Sequence, residues 1–157
     1  MALDADLVIR QASLDDLETV LTFRLNMIRE LRARESDLTE LEAATRKYLR
    51  NALATGQYVC FIARHNDVAV ASAAIFLFDR PPIGSNLSTR EARLVDVYTI
   101  PEWRRRGAAE AAVSAAIVYA KQTNARRLRL GATHAARHLY EKLGFQPVTT
   151  EMELTFP

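Results

Sequence analysis

The sequence holds one cysteine, Cys60, so no disulfide can form within the chain. That cysteine lies in QYVCFIAR, an apolar run in which cysteine ordinarily behaves as a small hydrophobe and in which a catalytic thiolate would find no polar partner. Lysine is scarce as well. Only three of the 21 basic residues are lysine (Lys47, Lys121, Lys142), the rest being arginine, a bias that codon usage explains more readily than a binding surface does. Neither sign of charge dominates, and a net charge of +2 excludes the strongly basic field on which nucleic-acid binding depends. No apolar stretch approaches the roughly 20 residues that span a bilayer. The start, MALDADLVIRQAS, lacks the basic and apolar regions of a signal peptide, so a cytoplasmic protein with no membrane or nucleic-acid partner is expected. There is no internal repeat, low-complexity tract or linker composition.

What remains is ordinary globular usage, with 49% apolar and 25% charged residues. A chain of 157 residues buries about two-thirds of its unfolded surface, which predicts one domain over residues 1–157.

The order of elements follows from periodicity. DLVIR reads as a strand, and Ser13 with Asp16 forms a capping-box variant ahead of leucines at 14, 17, 21, 25 and 31 and Ile28. A polar break, ARESD, leads to a second helix opened by Thr39 and Glu42 and closed at Gly56. QYVCFIAR, the turn HND and VAVASAAIFLF form a hairpin whose second strand is rich in alanine, so something packs closely on it. The segment from Asp79 to Glu91 has the proline, glycine and serine content of a functional loop. ARLVDVYTI, a long helix and RRLRL make a βαβ crossover, followed by the helix HAARHLYEKL and a last strand within GFQPVTTEMELTF. The order β-α-α-β-β-β-α-β-α-β predicts a mixed α/β fold with a sheet of six or seven strands and helices on both faces.

The chemistry concentrates at IPEWRRRGAAEAAV. The first amides of a helix have no partner within it, and the aligned peptide dipoles add about half a positive charge there. A helix opening at the carboxyl end of a parallel strand is therefore an anion site. Gly107, Ala108 and Ala109 leave its amides uncovered, and Arg104, Arg105 and Arg106 add cations at the rim. An ordinary solvated basic turn would carry the same residues.

Two motifs together add a resemblance. VYTIPEWRRRGAAEAAV resembles the signature of the GNAT superfamily of N-acetyltransferases, a strand and a Pro-Glu-aromatic turn followed by Arg/Gln-x-x-Gly-x-Gly/Ala, with Arg104, Gly107 and Ala109 in the defining positions. HLYEKLGFQP, some forty residues on, resembles the second family signature. The resemblance implies the GNAT fold, acetyl-CoA as cosubstrate without a metal, and transfer of the acetyl group to an amine of a small molecule or peptide. It places the CoA pyrophosphate on the amides of Arg105 to Ala109 beside Arg104 and Arg106, and the pantetheine arm along Val97, Tyr98 and Thr99. It also makes Tyr140 both a cofactor contact and the acid that protonates the leaving thiolate. A backbone N-H of Val97 or Tyr98 would meet the oxyanion. Thr133 stands where many members have a cofactor-binding asparagine.

The general base is open among family members. Asp96, a carboxylate within RLVDVY, is the candidate here, with an ion pair to a neighbour such as Arg93 as the alternative. Glu91 is a second choice. His134 and His138 have metal-binding spacing without a third ligand, and Arg137 suits a CoA phosphate or a solvated helix face equally. The acceptor is expected between the first two helices, their break and the loop from Asp79 to Glu91, with Arg24, Met27, Tyr98 and Trp103 as candidate lining. No acidic cluster or peptide-recognition motif names it. A non-catalytic acyl-CoA sensor and a homodimer both remain open.

Overall fold

The first strand, β1 (Leu7–Gln11), leads into the Ser13 capping box, where the Ser13 hydroxyl accepts from the Asp15 N-H and the Asp16 carboxylate accepts from the Ser13 N-H at 2.8 Å. This computed structural model describes residues 6–31, 38–148 and 152–156. A 3-10 turn at Leu14–Asp16 then passes into α1 (Leu17–Leu31), whose Leu17, Leu21 and Leu25 are buried while the two ends of the expected stripe, Leu14 and Leu31, face solvent. Arg10 grips Asp16 with both nitrogens at 2.6 and 2.7 Å, and that contact, aided by the Ser13 N-H, lowers the Asp16 carboxyl to about 2. The ARESD break, residues 33–37, lies outside the described residues. Helix α2 (Thr39–Thr55) has Thr39 as its first helical residue, preceded by Leu38 with no side-chain cap, and it ends on Gly56 at φ +71°.

The hairpin forms as its sequence indicates. Strands β2 (Tyr58–His65) and β3 (Val68–Asp79) are joined by Asn66 and Asp67, both at positive φ, the left-handed pair that a tight two-residue turn requires. Strand β4 (Arg90–Thr99) returns antiparallel to β3, and after α3 (Ala108–Gln122) the chain adds β5 (Leu128–Arg129) parallel to β4. The crossover is the one read from the sequence. A short α4 (Arg137–Lys142) follows.

The sheet runs β1-β2-β3-β4-β5 in spatial order, with one helical layer on each face. Helices α1 and α2 cover Tyr58, Cys60, Ile62 and Ala74 on one face, and α3 covers Val59, Phe61, Ala73 and Ile75 on the other. The alanines of β3 meet alanines of α3, where Ala112 and Ala116 are fully buried, so helix and sheet approach closely. Cys60 is buried and burial pushes its thiol up to about 12, which leaves it inert packing.

The class is as predicted, but the sheet of the described residues has five strands rather than six or seven. RRLRL contributes only Leu128 and Arg129 to the ladder, and residues 145–148 and 152–156 form no strand. So short a β5 offers little edge to extend, and Pro147 cannot donate to a ladder.

Candidate active site

Strands β4 and β5 pair only through Ala92 with Leu128 and Arg93 with Arg129, and beyond Arg93 they part. The opening is a groove of about 450 Å³, walled by β4 from Arg93 to Thr99, by Gly131, Thr133 and Tyr140 on the β5 side, and by Met27, Glu30 and Leu31 of α1. That volume suits a small ligand or an extended cofactor arm. A larger cleft of about 740 Å³ lies between β5 and α4 and shares Tyr140 with the groove.

At the end of β4, Pro101–Trp103 form a 3-10 turn and the chain reaches α3 through Arg105 at φ +61° and Gly107 at φ +83°. These left-handed residues swing the chain into the helix without a side-chain cap, so the first amides of α3 are left to an outside acceptor. The three arginines divide. Arg104 donates from one terminal nitrogen to both Glu30 carboxylate oxygens at 2.7 and 2.8 Å, donates from Nε to the Thr99 carbonyl at 3.1 Å, and lies 5.9 Å from the Tyr98 ring centre. Arg106 stacks on Trp103 at 5.1 Å, and Arg105 is exposed. Glu30 was not singled out from the sequence, because 74 residues separate it from Arg104 and nothing local marks it.

Tyr140 is buried in α4 with its ring edge against Phe145, 5.8 Å away, so it packs the core and walls the groove at once. Burial raises its phenol above the ordinary value, so the hydroxyl keeps its proton. Thr133 caps the turn before α4, its hydroxyl accepting from the Ala136 N-H at 3.3 Å. Arg137 pairs with Glu141 at 2.6 Å on an exposed face.

Asp96 lies at a β-bulge. Ala74 pairs with Val95 and Ser72 with Tyr98, so Asp96 and Val97 together stand opposite Ala73 alone. The bulge breaks the alternation of the strand: Val95 packs with the α1 and α2 face, where Asp96 also meets its partners, and Val97 packs with the α3 face. The Asp96 carboxylate takes Arg24 on one oxygen and the Tyr58 hydroxyl, at 2.7 Å, on the other. The ion pair anticipated for Asp96 therefore exists, with Arg24 of α1 in place of Arg93. Burial, then the Asp96 charge, hold the Tyr58 phenol well above its ordinary value.

Other expected residues lie elsewhere. Glu91 is fully buried away from the groove wall, with Arg127, Arg126 and Arg80 at 3.5, 3.8 and 4.0 Å. The loop from 80 to 89 joins the Arg90 end of β4 and supplies nothing to the groove wall. Trp103 packs with Ala63, Val70 and Ala108 rather than on the groove, and α2 contributes no wall residue. Among the described residues no group of three histidine, cysteine or acidic side chains could hold a metal. No helix of the described residues is long and apolar enough to cross a membrane.

The profile of the Acetyltransferase (GNAT) family matches residues 25–145. The chain belongs to the GNAT acetyltransferase family. An uncharacterized N-acetyltransferase of Bacillus subtilis, YhfO, is 30% identical over 145 residues, covering 90% of this chain and 91% of its own. Two solved GNAT-like structures superpose over nearly the full length. A predicted acetyltransferase of Clostridium acetobutylicum, crystallised with acetyl-CoA, has a TM-score of 0.85 at 28% identity, covering 95% of this chain and 96% of its own. A GCN5-related N-acetyltransferase of Ralstonia eutropha has a TM-score of 0.84 at 27% identity, covering 96% and 98%. This GNAT chain is thus an acetyltransferase by family, and its fold is the family's.

Proposed function

We propose that this protein transfers an acetyl group from acetyl-CoA directly to a primary amine of a small molecule or peptide. The observation that carries the proposal is the groove between the parted strands β4 and β5, which runs from Arg104, on the turn ahead of the uncapped end of α3, to the wall formed by Tyr140. The acetyl-CoA in the similar clostridial structure, and the N-acetyltransferase name of the similar Bacillus protein, support donor and reaction class.

In this proposal the CoA pyrophosphate accepts from the amides between Arg105 and Ala109, and the pantetheine arm lies along Val97 to Thr99 as an added strand would. The neutral amine attacks the thioester carbonyl, whose oxygen gains charge and accepts a backbone N-H at the bulge. The C-S bond then breaks, the electron pair goes to sulfur, and the Tyr140 hydroxyl hydrogen-bonds the thiolate and passes it a proton. The amine proton leaves to solvent, and solvent returns a proton to the Tyr140 phenolate, which closes the cycle. Arg104, held by Glu30 and Thr99, braces the turn beside the pyrophosphate.

The test is release of CoA from acetyl-CoA, followed with a thiol reagent across amino acids, polyamines, aminoglycosides and short peptides. Release dependent on one class of amine, with a matching acetylated product by mass, is expected. Silence in every well, from a protein that acetyl-CoA still stabilises against heat, would overturn direct transfer to these amines and favour a binding domain.

A further inference from the structure

Asp96 has φ +52°, a left-handed conformation that strains an ordinary residue and is tolerated best by asparagine and aspartate. A residue held there is over-determined by its surroundings. Here the surroundings are two donors from separate elements, Arg24 of α1 and Tyr58 of β2, both on the carboxylate of the bulge. Val97, the other bulge residue, has no register partner across the strand pair and lies on the groove wall.

A general base needs an oxygen directed at the acceptor amine. Both Asp96 oxygens instead accept from donors of the scaffold, and the side chain is only 7% exposed. We infer that Arg24, Tyr58 and the Asp96 carboxylate form a clamp of positioning residues, which fixes the bulge and thereby aims the Val97 backbone at the thioester carbonyl. The inference rests on the acetyl-transfer proposal for its chemistry and goes beyond it by removing Asp96 from the role of base. The clamp also ties α1, which carries the groove residues Met27 and Glu30, to the reacting strand. The acceptor wall and the carbonyl site are thus held in one register.

Substitution at one position separates holding from proton abstraction. Asparagine can still accept from Arg24 on its amide oxygen, can donate from its amide nitrogen to the Tyr58 hydroxyl oxygen in a reversed bond, and suits a positive φ, whereas alanine does none of these. Asp96→Asn is expected to keep kcat within about five-fold of the native protein, since a neutral acceptor weakens such bonds by about 1 kcal/mol. Asp96→Ala is expected to lose up to about 100-fold in kcat, the cost of a misplaced reacting group, with the acetyl-CoA KM little changed. Tyr58→Phe should fall between them. Amide exchange over residues 94–99, measured by mass spectrometry, should quicken in Asp96→Ala and Tyr58→Phe but not in Asp96→Asn. An asparagine variant as inactive as the alanine one, with exchange unchanged, would overturn the inference and make the carboxylate itself the base. Unchanged exchange in Asp96→Ala would equally overturn it, because the clamp would hold nothing. Absence of turnover with every acceptor in the native protein would instead defeat the transfer proposal, and the exchange comparison would still decide the clamp.

Discussion

Removing one oxygen from Tyr140 tests the proposed chemistry most directly. Tyr140→Phe keeps the ring that packs against Phe145, so the fold should lose little, while the groove loses the hydroxyl facing the sulfur of the bound thioester in the proposed pose. The size of the effect follows from how far the proton moves. A free thiol titrates near 8.5 and a phenol near 10, and burial widens that gap for Tyr140, so complete transfer to the thiolate runs uphill. The larger contribution is then a hydrogen bond to a developing charge, worth about 1.5–3 kcal/mol. That is about a ten- to 100-fold fall in kcat. Because the hydroxyl acts as the C-S bond breaks and not on binding, the acetyl-CoA KM should hold within about two-fold. Steady-state release of CoA at saturating acceptor, beside a titration of acetyl-CoA binding, measures both quantities. An unchanged kcat with intact binding would refute the assignment of Tyr140, and a raised KM at constant kcat would make it a binding residue only.

Gly107→Val places a branched side chain at φ +83° in the mouth of α3, and should raise the acetyl-CoA KM at least about ten-fold with a smaller change in kcat, read from the same assay. Asp16 titrates near 2 when folded and near 3.8 when unfolded, so its contribution of about 2 kcal/mol is full above pH 4 and is lost as pH falls through 2. Urea midpoints of the native protein and Asp16→Asn should therefore differ at pH 6 and converge toward pH 2. Cys60 should stay unmodified by a thiol reagent in the native state and react once in denaturant, seen as a single mass increment; native labelling would contradict its burial and raised thiol.

Local chemistry was legible wherever its partners were near in sequence. The Ser13 box, the Asn66-Asp67 turn, the Gly56 cap and the crossover that delivers Gly107 to the end of β4 all follow from short patterns. The clamp was not legible. Asp96 stood out as a carboxylate in an apolar strand, but Arg24 lies 72 residues away and Tyr58 lies 38 away, so its partners came only with the packing of α1 and β2. The bulge that turns Asp96 toward them leaves no mark in a strand of mixed apolar and charged residues. Glu30 escaped notice for the same reason, as one acidic residue on the polar side of an amphipathic helix. Within the last expected strand, residues 149–151 lie outside the described residues, and residues 152–156 form no strand because alternating apolar residues in MELTF describe a face without saying that an edge is there to receive it.

The alanine seam between β3 and α3 sets a height. Ala73, Ala112 and Ala116 have no exposed surface, and each has only a methyl group to hold helix and sheet apart. One extra methylene in such a contact cannot be absorbed locally and shifts the rigid body that carries it. That body is the helix whose first turn begins beside Gly107, so the spacer behind the sheet governs how far the amides stand from β4. In the proposed mode of binding, drift at these buried positions would change acetyl-CoA affinity while every groove residue stays the same.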